Sequence, residues 1–489
     1  MSNNTLTIAV AKGDGIGTEI MDAVISIFDA AKVPLSYTYI EMGKKIYDAG
    51  FNTGMTDEAK QTVEQLGILY KGPMETPKGK GVKSINVTAR KVWNTYANKR
   101  VFTTLNGVDT VFSKAEIPIN ITIVRENIED TYGGIEHYLT QDVALCRRFI
   151  TRPGSLQVHQ YAFELATKKN AKRITCGHKA NIMKLTDGLF LQTFYEVAKQ
   201  YPHLKADDII VDDLCMKLAI KPNEFDIVVL PNLQGDIVSD LCAGLVGGLG
   251  FAPSANIGND ICIFEAVHGT APDIVGKGIA NPTALLLSGL MMLRHIGYNG
   301  YAAAIETALF QTLAQGIHTG DFGNNNVQAA TTVEFTNAII SNLQQATAAQ
   351  LNPAESNNTL TFLAKPIPKE NTLLHTAPKK PQTLHGVDLF VEFEEQPSIL
   401  AEMLLQYADP NYTITTISNR GTQVWPTGSV FTNCINQYRV RFECNEGVST
   451  TPFELFELCK QVSTAVRICS VEMLLMIDGV RGYSLAQGQ

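Results

Sequence analysis

The sequence predicts an α/β fold that is followed by a separate, smaller α+β module. Three observations lead to this prediction. Near the N-terminus, a strand at residues 7–10 is followed by a glycine-rich loop and a helix at 18–31, an order that opens many α/β domains. Strand-like and helical segments then alternate between residues 118 and 231. Beyond about residue 385, the order becomes strand, helix, strand, strand, helix, strand.

The first of these regions contains alternating strands and helices. Short runs of β-branched and apolar residues predict its strands, and longer amphipathic stretches predict its helices. From residue 281 to 343, the pattern is mostly helical. The predicted strands are 119–124, 173–175, 208–211 and 226–230, and the predicted helices are 157–168 and 182–199.

A change in composition separates this region from the C-terminal module. Residues 346–384 are rich in Ala, Gln, Asn, Thr, Pro and Lys without periodicity, which predicts a linker. The module at 385–489 is predicted to be ferredoxin-like because of its β-α-β-β-α-β order. We expect it to serve contacts between subunits, with ligand sensing as the alternative. Its predicted elements are strand 387–393, helix 397–407, strands 412–418 and 438–444, helix 452–462 and strand 466–476.

Composition excludes several classes of protein. A chain of 489 residues is too long for one core and predicts about two to four domains. Its formal charge of −8 argues against general nucleic-acid binding. No run of 18 apolar residues occurs, so no membrane span is expected. The polar start without a signal pattern, and nine scattered cysteines without Cys-x-x-Cys, predict a cytoplasmic location.

A pair of carboxylates is the most informative feature of the chain. Residues 232–240 read Asn-Leu-Gln-Gly-Asp-Ile-Val-Ser-Asp and follow the apolar run 227–230, with Gly235 expected at the turn before a helix. Spacing of four places Asp236 and Asp240 on one helical face, where they repel each other unless a cation lies between them. Their hard oxygen ligands predict Mg²⁺ or Mn²⁺.

A group of basic and small polar residues predicts an anion site. Asn86 is the expected N-cap of a helix, with Ser84 just outside it. Arg90 lies one turn into this helix, Arg100 lies beyond its end, and Arg125 ends a strand. Guanidinium groups pair bidentately with carboxylates, so three of them together suit a small polycarboxylate.

Further residues are candidates for proton transfer and metal binding. Tyr132 precedes a Gly-Gly pair and is either a packing residue or, near cations, a general acid. Lys179 lies at a strand–helix junction and is either an exposed lysine or a base. Asp212 ends the predicted strand 208–211 and is a candidate third carboxylate ligand.

Two glycine-containing loops could approach a nucleotide. The loop His268-Gly269-Thr270-Ala271 offers backbone donors. The alternating Gly13, Gly15 and Gly17 lack the spacing of the dinucleotide-binding fingerprint, so an ordinary Rossmann domain is not favoured.

These blocks, in this order, resemble the isocitrate/isopropylmalate dehydrogenase family from about residue 5 to 345. The tail is similar to the C-terminal module of a longer bacterial branch, notably at residues 417–424, Ile-Ser-Asn-Arg-Gly-Thr-Gln-Val. One departure is Val101 after Arg100, where the family usually has proline. The resemblance implies a large α/β domain built from residues 1–97 and 247–345. It also implies a smaller domain at 98–246, which includes a clasp at about 130–172 that interlocks two subunits.

The resemblance also implies an activity, namely metal-dependent oxidative decarboxylation of isocitrate to 2-oxoglutarate by a homodimer or higher homo-oligomer. Lys179 would relay a proton away from the substrate, and Tyr132 would protonate the enolate. Asp236 and Asp240 would bind the metal in one subunit, with Asp212 and Lys179 supplied by the other. The remaining roles are isocitrate binding by Ser84, Asn86, Arg90, Arg100 and Arg125, nicotinamide contact by Lys71 and Thr76, and adenosine contact by His268, Gly269, Thr270, Ala271 and Asn281.

The adenosine loop predicts NAD in preference to NADP. NADP-using members carry Lys-Tyr at the position where this chain has Asp273-Ile274. A carboxylate accepts hydrogen bonds from the ribose hydroxyls of NAD but repels a 2′-phosphate. Residues 320–328 contain no cation where NADP-using relatives place an arginine.

Other functions stay open at this point. The isopropylmalate branch lacks the Ser84-x-Asn86 pair, which argues against that substrate and less strongly against homoisocitrate or tartrate. NADP-dependent isocitrate oxidation is a further alternative. A non-catalytic regulatory subunit is an alternative of another class, although such a subunit would be expected to have lost the side chains named above.

Overall fold

The computed structural model describes residues 5–75, 84–323, 328–344, 374, 378–408 and 411–487. Thr76 and most of the predicted linker lie outside these residues. Contacts divide the chain into two compact units. The larger comprises Met1–Tyr132 with Ile150–Leu373, and the smaller comprises Gly133–Phe149 with Leu374–Gln489. The predicted domain limits within the larger unit, and the clasp, stay predictions.

The larger unit is built on one sheet of ten strands with helices around it, which confirms the predicted α/β class. Its strands are β1 (Leu6–Ala11), β2 (Leu35–Tyr39), β3 (Ile68–Lys71), β4 (Ala97–Thr103), β5 (Asn120–Glu126), β8 (Arg173–His178), β9 (Lys205–Ile210), β10 (Ile227–Leu230), β11 (Pro253–Ile257) and β12 (Cys262–Ala266), while β6 (Glu136–Thr140) and β7 (Val143–Cys146) belong to the smaller unit.

The helices of the larger unit carry the apolar faces that cover this sheet. They are α1 (Gly17–Ala30), α2 (Lys44–Asp48), α3 (Asp57–Leu66), α4 (Ile85–Val92), α5 (Val111–Lys114), α6 (Arg152–Lys168), α7 (Thr186–Ala198), α8 (Val211–Ile220), α9 (Asn232–Leu245), α10 (Thr283–His295), α11 (Asn299–Ala314) and α12 (Thr332–Gln344). The last three confirm the helical region predicted at 281–343.

The strand order is β2-β1-β3-β12-β11-β4-β5-β10-β8-β9. The strands β2, β1, β3 and β12 are parallel to one another, as are β5, β10, β8 and β9. Strands β11 and β4 join these two blocks through antiparallel pairs. The centre of the sheet therefore differs from an ordinary Rossmann fold, and it is the place where β4 and β5 lie side by side.

The glycine-rich loop after β1 packs against two other loops. Gly15 has φ of +60°, and a Cβ at this position would lie 2.1 Å from the carbonyl oxygen of Thr270. The Ile16 amide donates to the same oxygen at 3.0 Å. Gly15 thus allows the loop after β1 to contact the 268–271 loop closely. This contact accounts for a glycine at this position, although the three glycines lack the spacing of the dinucleotide-binding fingerprint.

The smaller unit has the predicted ferredoxin-like order with additions at both edges of its sheet. Its C-terminal elements are β13 (Gln382–Glu392), α13 (Pro397–Leu405), β14 (Tyr412–Asn419), β15 (Thr422–Trp425), β16 (Gln437–Cys444), α14 (Pro452–Val462), β17 (Arg467–Ile477) and β18 (Val480–Arg481). The four predicted strands pair antiparallel in the order β14-β16-β13-β17. The sequence pattern did not reveal β15, β18 or the hairpin formed by β6 and β7, because these elements are short.

Alternation along β13 and β16 separates an apolar face from a charged one. Val387 and Leu389 lie in the core, while Asp388 between them accepts two hydrogen bonds from Arg441, each at 2.7 Å.

Among the described residues, no helix is both long and apolar enough to span a membrane. All nine cysteines are described, and all are free thiols.

Candidate active site

The centre of the site is the Asp236 carboxylate, which two buried arginines hold. Arg100 from β4 lies 3.2 Å from its Oδ1, and the Arg125 guanidinium from β5 contacts the same oxygen. Arg100 also reaches Asp240 at 3.5 Å, so its guanidinium is the cation that lies between the two carboxylates. The predicted convergence of this acidic pair with Arg100 and Arg125 is therefore present within one chain.

The two carboxylates have different electrostatic surroundings. Burial alone would raise the pKa of Asp236, but Arg125 and Arg100 outweigh it and hold that pKa below its usual value. For Asp240, burial and the charge of Asp236 outweigh Arg100 and raise the pKa. Its side chain is nevertheless 60% exposed. The Asp240 carboxylate is therefore accessible, and Arg100 compensates its charge only in part. Both properties suit a carboxylate that binds a metal ion.

Gly235 lies inside α9, so its predicted position at a turn is wrong. A Cβ at this position would lie 2.7 Å from Cγ of Arg125. The glycine permits the arginine stem to pass directly over the first turn of the helix. Asn232 then fixes the guanidinium by accepting from Nε at 3.0 Å and from Nη2 at 2.7 Å.

Tyr132 joins the same cluster. Its hydroxyl donates to Oδ2 of Asp236 at 2.5 Å, and its ring lies 4.8 Å from the Arg125 guanidinium. Burial and the hydrogen bond to Asp236 raise the pKa of the phenol. The phenol therefore carries its proton at neutral pH, and its hydroxyl lies within the cluster of Asp236 and Arg125 rather than in the apolar core.

A second buried ion cluster lies beside the first. Glu265 of β12 accepts from Arg90 at 2.9 Å and contacts the ammonium group of Lys71. Burial alone would raise the pKa of Glu265, but Lys71 and Arg90 hold it well below the usual value. The Asn86 side chain accepts a further bond from Lys71 at 2.8 Å.

Ser84, and not Asn86, is the N-cap of α4. The Ser84 hydroxyl accepts from the Val87 amide, whereas Asn86 lies in the first turn of the helix. The prediction of Asn86 as the cap was wrong because its side-chain oxygen instead supplies an acceptor to the buried Lys71 ammonium group, which needs one.

A row of buried amides supports the arginines and was missed in the sequence. Asn98 accepts from Nε of Arg100 at 2.8 Å and donates to Ser254 and Asn256 of the neighbouring strand. Asn256 in turn donates to Glu265 at 2.7 Å, which links the two ion clusters. The sequence contained one sign of this row. Asn98 and Arg100 are two residues apart in a strand-like segment, so they lie on the same face of β4.

Lys179 and Asp212 form a separate pair. Lys179 follows β8 and Asp212 lies in the first turn of α8; their side chains are 2.5 Å apart, and 69% of the Asp212 side chain is exposed. Across the described part of the chain, no group of three or more His, Cys, Asp or Glu side chains is arranged to hold a metal ion. Within one chain, therefore, Asp212 does not join Asp236 and Asp240.

The predicted adenosine loop follows β12. His268 is partly buried, and within the described residues its buried Nε2 lacks a hydrogen-bond partner. This unsatisfied polar atom fits a site for a nucleotide. Asp273 and Ile274 lie in the short 3₁₀ turn that follows, where Asp273 is exposed. The Asn281 side chain donates to Asp321 at 3.0 Å.

The ion cluster at Glu265 predicts a pH-dependent contribution to stability. Because its pKa is depressed in the folded state, Glu265 stabilises the protein above its unfolded pKa of about 4.3, and this contribution is lost as pH falls below that value. We expect Glu265→Gln to lower the free energy of unfolding by about 3 kcal/mol at pH 7. Chemical denaturation from pH 7 to 3.5 should show this difference shrinking toward acid.

The matched control for this experiment is Glu224→Gln. Glu224 pairs with Lys221 at 3.5 Å on the surface, so its replacement should change stability by about 1 kcal/mol or less at any pH. Equal effects of the two replacements at pH 7 would contradict the stabilising role of the buried cluster.

Comparison with known proteins identifies relatives of this chain over its whole length. Residues 7–339 match the family described as isocitrate/isopropylmalate dehydrogenase, and residues 382–489 match the bacterial isocitrate dehydrogenase C-terminal domain. The chain is 40% identical to isocitrate dehydrogenase [NADP] of Thermus thermophilus, over 99% of this chain and 96% of that protein.

Two further relatives add to this result. A Schizosaccharomyces pombe protein named isocitrate dehydrogenase [NAD] subunit 2, mitochondrial, is 45% identical over 70% of this chain and 89% of its own length. The crystal structure of the TT0538 protein from Thermus thermophilus superposes with a TM-score of 0.91 at 39% identity, covering 100% of this chain and 97% of that one. The chain therefore belongs to the isocitrate/isopropylmalate dehydrogenase family, as its sequence motifs predicted.

Proposed function

We propose that the protein is a metal-dependent isocitrate dehydrogenase that oxidises and decarboxylates isocitrate to 2-oxoglutarate. The observation that carries this proposal is the convergence of Arg100 and Arg125 on Asp236, with Asp240 beside them. One site thus combines groups that bind an anion with groups that bind a metal. A hydroxy acid with several carboxylates needs both.

The arginines are suited to the carboxylates of the substrate. The positive charges of Arg90, Arg100 and Arg125 are directed to Glu265 and Asp236. Substrate carboxylates would replace part of these contacts with bidentate pairs. Ser84 at the N-terminus of α4 and Asn86 in its first turn add polar groups on the same side.

Asp236 and Asp240, with Asp212 of a second copy, would hold Mg²⁺ or Mn²⁺. Oxygen ligands on one helical face suit a hard divalent cation, and the accessible Asp240 carboxylate fits that role. When bound, the cation supplies Lewis-acid polarisation of the substrate oxygen atoms. Binding would also release Arg100 from between the two aspartates.

Tyr132 would supply the proton that completes the reaction. Its raised pKa keeps the phenol protonated, and its hydroxyl already points at the carboxylate that would bind the metal. If Asp236 bound the metal, it would no longer accept the hydrogen bond from the Tyr132 hydroxyl. The phenol proton would then be available to the carbon atom that lost carbon dioxide.

Lys179 and Asp212 would act in the site of a second copy of the chain. They are paired and accessible, yet Asp212 does not join the acidic pair of its own chain. In the proposed homodimer, Lys179 would accept the proton of the substrate hydroxyl, and Asp212 would complete the metal site. Two copies would then be required for each active site.

For the coenzyme, we propose NAD. Asp273 is exposed in the turn that follows the 268–271 loop, where a carboxylate would repel a 2′-phosphate. His268 would contact the adenosine, and its unsatisfied Nε2 supports this role. The name of the full-length Thermus relative carries NADP, which favours the alternative coenzyme, whereas the name of the shorter Schizosaccharomyces relative carries NAD.

The first prediction concerns turnover. With Mg²⁺ and NAD, isocitrate should be oxidised while isopropylmalate and homoisocitrate are not. Asp240→Asn should lower kcat/KM by about 100-fold or more, because it removes a metal ligand. Asp109→Asn, at an exposed residue paired with Lys114 at 3.6 Å, should leave the rate unchanged. No turnover by the folded protein would instead favour a regulatory subunit.

The second prediction concerns sharing of the site. Tyr132→Phe and Lys179→Met should each be nearly inactive alone. When the two are unfolded together and refolded, mixed dimers should contain one intact site, built from Tyr132 of one copy and Lys179 of the other. If equal amounts of the two variants pair at random, half of the dimers are mixed and each has one intact site of two. About one quarter of the wild-type activity should therefore return. Activity that stays at the level of the separate variants would contradict a shared site.

The third prediction concerns coenzyme choice. Wild-type protein should show higher kcat/KM with NAD than with NADP. Asp273→Lys should shift this ratio by about tenfold or more toward NADP, because the reversed charge attracts the 2′-phosphate. Asp109→Lys makes the same charge change elsewhere and should not alter the ratio. A wild-type preference for NADP would overturn the assignment of NAD while leaving the isocitrate assignment intact.

A further inference from the structure

The strands that carry the active-site arginine also form the wall of a separate cavity. This cavity, of about 680 Å³, is lined by residues of β4, β11, β12, α6, α10 and α11. Lys99 and Val101 of β4 and Ala255 of β11 line it. Side chains alternate along a strand, so Arg100 and Ser254 lie on the opposite face of the same strands. The cavity and the arginine cluster thus lie back to back across one sheet.

The lining combines apolar walls with excess positive charge. Phe264, Leu287 and Phe310 contribute to the apolar part. The charged lining residues are Lys99, Lys168, Lys169, Arg294, Glu164 and Glu306. Four cations thus face two carboxylates, and Glu306 is already paired with Arg294 at 2.6 Å.

Lys99 is the residue that a ligand would satisfy. Its side chain is partly buried, and its amine forms neither an ion pair nor a hydrogen bond with any other residue that the structure describes. Burial, followed by the charges of Lys169 and Arg294, lowers its pKa to about 8. At neutral pH the amine still carries a proton, and an anion in the cavity would compensate the charge of this partly buried ammonium group.

We propose that this cavity binds a small organic anion whose apolar body lies against the strands and whose single anionic group pairs with Lys99. The volume suits such a ligand. The apolar walls suit a ligand with a large apolar body better than isocitrate, whose three carboxylates leave little apolar surface. Since Lys99 and Arg100 are adjacent on β4, a ligand here contacts the strand that holds the substrate arginine. This inference goes beyond the proposed function and does not require the protein to be active.

The test uses 2-naphthoate and its neutral analogue 2-naphthamide as probes of the full-length protein by equilibrium dialysis. Wild-type protein should bind the carboxylate about tenfold more tightly than the amide. Lys99→Met keeps the length of the side chain and removes its charge, so the two probes should then bind equally. Lys199→Met, at an exposed lysine, should preserve the preference.

Two further measurements keep the test decisive. Lys168→Met, at the exposed end of α6, should weaken naphthoate binding by about threefold even if Lys99→Met fails to fold. Naphthoate should also remain bound in the presence of Mg²⁺ and isocitrate. Equal binding of the two probes by wild-type protein would overturn the proposal. Displacement of naphthoate by isocitrate would do so as well, since it would place the probe at the arginine cluster.

Discussion

The need to hold Asp236 ionised between buried arginines organises the catalytic part of the chain. Arg125 is 1% exposed and Arg100 is 4% exposed, so neither guanidinium can rely on water. Each therefore requires fixed acceptors, which Asp236 and the side chains of Asn232 and Asn98 provide. Gly235 follows from the same requirement, because a side chain there would displace the Arg125 stem. The groups proposed for substrate and for metal thus neutralise each other through these ion pairs.

The central strands divide this site from the rest of the unit. On one face, β4 and β11 carry an amide and arginine network that extends through Asn256 to Glu265. On the other face, the same strands line an apolar cavity that contains Lys99. A single layer of backbone therefore separates two differently charged environments.

Local patterns allowed much of this to be predicted from the sequence. The spacing of Asp236 and Asp240 predicted a common helical face, and the C-terminal periodicity predicted α14 at its observed residues, 452–462. The residues themselves predicted that Arg90, Arg100 and Arg125 suit a small polycarboxylate, and the family resemblance named isocitrate as that substrate. Non-local contacts were not predictable. The cap of α4 depended on Lys71, which is close to Asn86 only in the folded chain, and Glu265 gave no local sign of its two cations.

Exchange of partners between the arginines and the aspartates can be measured directly. If substrate carboxylates draw Arg100 and Arg125 away from Asp236, isocitrate must increase the affinity for Mn²⁺, and Mn²⁺ must increase the affinity for isocitrate by the same factor. Titration of Mn²⁺ followed by electron paramagnetic resonance, with and without isocitrate, measures this coupling. The predicted result is about tenfold or more tighter Mn²⁺ binding with isocitrate present. Unchanged or weaker Mn²⁺ binding would contradict a site in which the arginines and the metal share Asp236.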